Sequence, residues 1–100
     1  MKYGLTSEEL RFLEDKLKPL KDLGATIFLY GSRARGDYAK FSDIDLMVES
    51  SSVSSELRNK VEEIKEELSK SNFPYKVDIV FLLEFSDSYR PQYEKDKLSI

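Results

Sequence analysis

The apolar run Ala25-Thr26-Ile27-Phe28-Leu29-Tyr30 stops abruptly at Gly31-Ser32. The run shows no polar–apolar alternation, so as a strand it must be covered on both faces. In a chain of 100 residues that requirement is severe. A chain this short buries only about two-thirds of its unfolded surface and sustains one core. The run therefore predicts a small sheet with helices packed on it.

The flanking segments supply those helices. Thr6-Ser7-Glu8-Glu9 reads as a helix start, with Thr6 as cap and Glu9 at the capping-box position. Leu10, Leu13, Leu17 and Leu20 follow at helical spacing, and Pro19 is expected to break or kink this helix near Lys18. Beyond the strand, Ser32 to Asp37 is long enough for one helical turn, which Gly36 would stop. Asp43 to Glu49 reads as a second strand. The serine-rich stretch from Ser50 to Ser55 reads as a loop and helix cap rather than a linker. Leu57, Val61, Ile64 and Leu68 then form one apolar stripe of a helix that Asn72 and Pro74 end. Lys76 to Leu83 reads as a third strand with Asp78 near its start, and a short helix is possible after Pro91. Helix, strand, helix, strand, helix, strand predicts an α/β or α+β fold in one domain over residues 1–100.

Composition removes several chemistries. There is no cysteine, hence no disulfide, zinc–thiolate site or thiol nucleophile, and no histidine, hence no His general base or Ser-His-Asp triad. Catalysis falls to carboxylates, Lys, Tyr, Ser or a metal. A net charge of −3 gives no long-range attraction to nucleic acid, and direct nucleic-acid binding is not expected. The first residues are charged and lack an apolar signal core, and no stretch approaches a membrane span, so a cytoplasmic location is expected.

Two local patterns carry chemistry. Gly31 allows close backbone approach to a ligand, and Ser32 stands at an expected helix N-terminus, which favours phosphate. Arg35 shares a helical face with Ser32 and is a candidate phosphate clamp. Arg33 would reach a triphosphate from the adjacent face or pair with Asp37. The plainer reading is a strand-to-helix turn with Gly for its φ and Ser as cap. The second pattern is Asp43-Ile44-Asp45, whose two acids point the same way on a strand. If the strand of Asp78 lies alongside, three carboxylates meet, and Mg²⁺ would relieve their mutual repulsion. The plainer reading makes Ser42-Asp43 a turn and cap, with Asp45 and Asp78 exposed strand residues. The six tyrosines are read as packing residues, with Tyr30 and Phe28 in or near the sheet core.

Taken together, Gly31-Ser32, ten residues, Asp43-Ile44-Asp45 and a later Asp78 resemble the minimal nucleotidyltransferases of the DNA polymerase β superfamily. The hexapeptide Gly31-Ser32-Arg33-Ala34-Arg35-Gly36 resembles the stand-alone members in particular. The resemblance covers residues 6 to 83 and implies a polymerase β-like fold, a small mixed sheet flanked by helices. It implies that the triphosphate of ATP lies on the Gly31-Ser32 turn, with Arg33 and Arg35 beside it. Asp43 and Asp45 would hold two Mg²⁺ ions, and Asp78 would join the one that activates an acceptor hydroxyl. The acceptor attacks the α-phosphate, pyrophosphate leaves and AMP stays behind. Small members of this family are often antitoxins paired with an HEPN-domain toxin, and some add AMP to it. The reading that follows is transfer of AMP to a partner protein, most naturally an HEPN toxin. The chain has no room for a separate acceptor-binding domain, so the acceptor would come from that partner or from a homo- or hetero-oligomer. Two alternatives stand beside it: an antitoxin that neutralises by binding alone, and a nucleotidyltransferase acting on a small molecule.

Overall fold

The computed structural model describes all 100 residues. Helix α1 (Ser7–Asp22) opens with the capping box: the Thr6 hydroxyl accepts from the Glu9 amide, and the Glu9 carboxylate accepts from the Thr6 amide. Its buried residues are Leu13, Leu17 and Leu20. The expected break at Pro19 does not occur, and the helix runs through it to Asp22. Pro19 lacks only the bond to the carbonyl of Asp15, an exposed residue, while buried Leu17 and Leu20 hold the last turns to the core.

Strand β1 (Thr26–Tyr30) leads into the single turn α2 (Ser32–Arg35), which ends at Gly36 in the left-handed conformation. Strand β2 (Ile44–Glu49) returns antiparallel to β1. Helix α3 (Ser55–Lys70), capped by the Ser54 hydroxyl, buries the stripe Leu57, Val61, Ile64 and Leu68. Strand β3 (Val77–Phe81) then pairs parallel to β2. The chain closes with two 3-10 turns, Leu82–Glu84 and Asp87–Tyr89, with helix α4 (Arg90–Asp96), and with the two-residue strand β4 (Leu98–Ser99) antiparallel to β1. Sheet order is β3-β2-β1-β4.

Alternation sorts the sheet's two faces. Ile27 and Leu29 of β1, Ile44, Leu46 and Val48 of β2, and Ile79 and Phe81 of β3 join the core with the leucines of α1 and α3. The opposite face carries Phe28, Tyr30, Asp45, Met47, Glu49 and Asp78. The C-terminal segment covers part of it: Tyr93 of α4 is buried, stands edge-on to Tyr30 with centroids 5.5 Å apart, and donates its hydroxyl to Glu49. Both faces of β1 are thus sheltered, as its unbroken apolar run requires. No helix is long and apolar enough to cross a membrane.

Candidate active site

Strand direction gathers the polar residues at one end of the sheet. The C-terminal end of β1 meets the start of β2 because the two are antiparallel, and β3 starts beside β2 because they are parallel. Tyr30 is therefore the cross-strand partner of Asp45, and Asp45 is the register partner of Asp78. Tyr30, Asp45 and Asp78 form one row across three strands.

The electrostatics follow this row. Partial burial, then the charges of Asp78 and Asp43, push the Asp45 carboxyl above its usual range. Burial, with Asp45 and Asp78 beside it, pushes the Tyr30 hydroxyl up to about 12. Lys76 Nζ lies 3.9 Å from Asp78 and is the nearest countercharge. Asp43 lies one residue outside β2, exposed, although its charge is felt at Asp45. No three acidic side chains are gathered closely enough to hold an ion as they stand.

The turn after β1 adjoins this row. Gly31 has φ +76°, and a Cβ there would run into the Asp45 carboxylate, with its Cγ at 3.3 Å and Cβ at 3.4 Å. Only glycine fits a backbone that is both left-handed and this close to an acid. Ser32, at the start of α2, follows directly on the glycine that meets Asp45, and the first N–H groups of a helix have no partner within it. The arrangement is a turn with potential anion-binding donors set beside hard oxygen donors, which we term the cradle. The oxygen donors, and the mutual repulsion registered at Asp45, suit a divalent cation.

The two arginines part company. Arg33 is only 2% exposed and points into the fold. Its Nε and Nη2 donate to the Ser42 carbonyl at 3.1 and 2.8 Å, and Nη1 donates to the Tyr3 carbonyl at 2.8 Å. Its guanidinium lies over the rings of Tyr38 and Tyr75, at 5.2 and 4.5 Å. Neither sequence expectation for Arg33 is met: it reaches neither the cradle nor Asp37. It anchors the loop that delivers Asp43, because Ser42 immediately precedes that acid. Arg35 instead points outward, paired with Asp37 at 3.3 Å and with Asp96 of α4 at 3.2 Å. Tyr30, Lys76 and Asp96 were not singled out from the sequence as site residues. Nothing in local spacing marks them, since each joins the site through strand register or through α4.

Fold and site together define a nucleotidyltransferase domain. The family model described as "Nucleotidyltransferase domain" matches residues 8–100, and the chain belongs to that family, among the minimal nucleotidyltransferases of the polymerase β superfamily. It is 31% identical over 86 residues to the probable protein adenylyltransferase MntA of Haemophilus influenzae, spanning 86% of this chain and 73% of that protein. A crystal structure of a toxin–antitoxin with AMP-PNP superposes with a TM-score of 0.61 at 25% identity, over 86% of this chain and 70% of that one. A further solved structure, from Sulfolobus solfataricus, superposes over 99% of this chain and 86% of its own with a TM-score of 0.50, and at 17% identity it speaks to the fold alone.

Proposed function

We propose that residues 1–100 act as one metal-dependent nucleotidyltransferase domain that moves AMP from ATP to a hydroxyl of a partner protein, as the antitoxin of an HEPN toxin. The observation that carries this reading is the juxtaposition of the Asp45–Asp78 register pair with the Gly31 turn. Likeness to a probable protein adenylyltransferase supports a protein acceptor, and likeness to a toxin–antitoxin structure with AMP-PNP supports a toxin partner and an adenosine nucleotide. The HEPN class rests on the motif resemblance.

In this reading the Gly31-Ser32 turn receives the triphosphate, and Arg35 exchanges its carboxylate partners for phosphate oxygens. Asp43, Asp45 and Asp78 would hold Mg²⁺, as two ions, and bound there the metal neutralises charge developing on the attacking and leaving oxygens. Asp43, exposed and one residue outside β2, would have to turn toward Asp45 to join them. The acceptor oxygen bonds to the α-phosphorus, the bond to pyrophosphate breaks, and the acceptor's proton passes to a base.

Incubating the chain with labelled ATP, Mg²⁺ and its toxin tests the reading. Label is expected on the toxin, and the Asp43→Asn/Asp45→Asn double variant should lose it while staying folded. Undiminished labelling by that variant would remove the catalytic role. If the variant does not label yet still protects cells from the toxin, neutralisation is by binding.

A further inference from the structure

Under α4 lies a cavity of about 180 Å³ lined by the aromatic rings of Tyr30, Phe85, Tyr89 and Tyr93, by Gly31, and by the polar side chains of Arg35, Gln92 and Asp96. We infer that this cavity seats the nucleobase of the nucleotide substrate, an inference that rests on the function proposed above.

The aromatic wall is built as a set. Tyr30 stands edge-on to Phe85 at 5.8 Å and to Tyr93 at 5.5 Å, and Phe85 meets Tyr93 at 6.0 Å and Tyr89 at 6.1 Å. Part of that set belongs to the core, since Tyr93 is 2% exposed. Tyr89 does not: on its 3-10 turn it remains 64% exposed, a large ring held at the rim without being buried. Such a ring offers a free face, and every base has a π-face to lay on it.

Position and size select the occupant. Gly31 adjoins Asp45 and also lines the cavity, as does Arg35, so a nucleotide with its phosphates on Gly31-Ser32 and Arg35 has the cavity within reach of its nucleoside end. The volume is below the roughly 300 Å³ at which pockets for drug-sized ligands begin, which excludes a peptide segment and admits a flat ring. Tyr30 ties the two sites together: its ring lines the cavity while its strand position pairs with Asp45.

The test is calorimetric titration of the whole chain, in Mg²⁺, with ATP and separately with inorganic tripolyphosphate, which has the phosphates and no base. Wild-type protein is expected to bind ATP more tightly. Tyr89→Ala should weaken ATP about tenfold, the loss of one stacked base, and leave tripolyphosphate unchanged. Tyr89→Phe should keep wild-type affinity for both. The inference is overturned if Tyr89→Ala leaves ATP binding intact or weakens both ligands equally. It is also overturned if that variant lowers only transfer to the partner, since the ring would then serve the acceptor. A wild-type chain that binds neither ligand removes the proposed function itself, and this inference with it.

Discussion

Asp45 on β2 and Asp78 on β3 are register partners in a parallel strand pair, so two acids face the same side of the sheet as neighbours. Fixed backbone pairing holds them there, and partial burial together with the charge of Asp78 raises the Asp45 pKa.

That elevation sets a pH dependence. A carboxyl with a higher pKa in the folded than in the unfolded chain binds its proton more tightly when folded, so ionisation costs stability. The penalty is absent below the unfolded value, grows as pH rises through the interval up to the folded one, and is complete above it. Asp45→Asn should therefore raise the melting temperature at pH 7 by a few degrees, and the gain should vanish in acid below the ordinary aspartate range. Mg²⁺ should raise the melting temperature of the wild type more than that of the variant. Scanning calorimetry across pH, with and without Mg²⁺, checks both.

Gly31→Ala places a methyl against the Asp45 carboxylate at a positive φ. A destabilisation of about 1–3 kcal/mol is expected from the backbone strain alone. Nucleotide binding should fall further than stability does, because the wall of the cradle moves. Urea denaturation measures the first effect and ATP titration the second.

The two arginines of the turn should behave oppositely. Arg33→Ala leaves the Tyr3 and Ser42 carbonyls without their donors inside the fold and should cost about 2–4 kcal/mol. Arg35→Ala, at an exposed position, should leave the denaturation midpoint unchanged yet lose affinity for tripolyphosphate. Denaturation curves and binding isotherms on the same two proteins separate the roles.

In the proposed reading, Asp96 would compete with phosphate for Arg35. Hydrogen bonds from Gln92 and Arg35 hold the Asp96 carboxyl below its usual range, and Arg35 Nη1 sits 3.2 Å from it. Asp96→Asn should free the guanidinium and tighten tripolyphosphate binding several-fold. The gain should shrink as salt screens the charges. Titrations at low and high ionic strength read the difference.

Much of this fold is legible in the sequence. The capping box at Thr6 and Glu9, the stripe from Leu57 to Leu68 and the stop at Gly36 are patterns among near neighbours, and each forms as read. Pro19 was misjudged because local propensity omits the anchoring of Leu17 and Leu20 in the core. Strand β4 was missed because two residues carry no period of their own. At the site, Gly31, Ser32, Asp43, Asp45 and Asp78 stood out by type and spacing. The tasks of Arg33 and Arg35 did not separate, since both belong to one four-residue turn and only packing decides which of them turns inward.

The sequence by itself determined the order of the main helices and strands, which of their faces are apolar, and which residue types are on hand for the phosphate and metal roles proposed above. Those are consequences of side-chain period, capping and charge over a few residues. Only the tertiary structure decided that Asp78 lies beside Asp45, that Arg33 is an anchor, and that α4 brings Asp96 to Arg35 and roofs an aromatic cavity next to Gly31. Strand register and burial arise from contacts between segments far apart in the chain, and no local spacing encodes which partner each segment will meet.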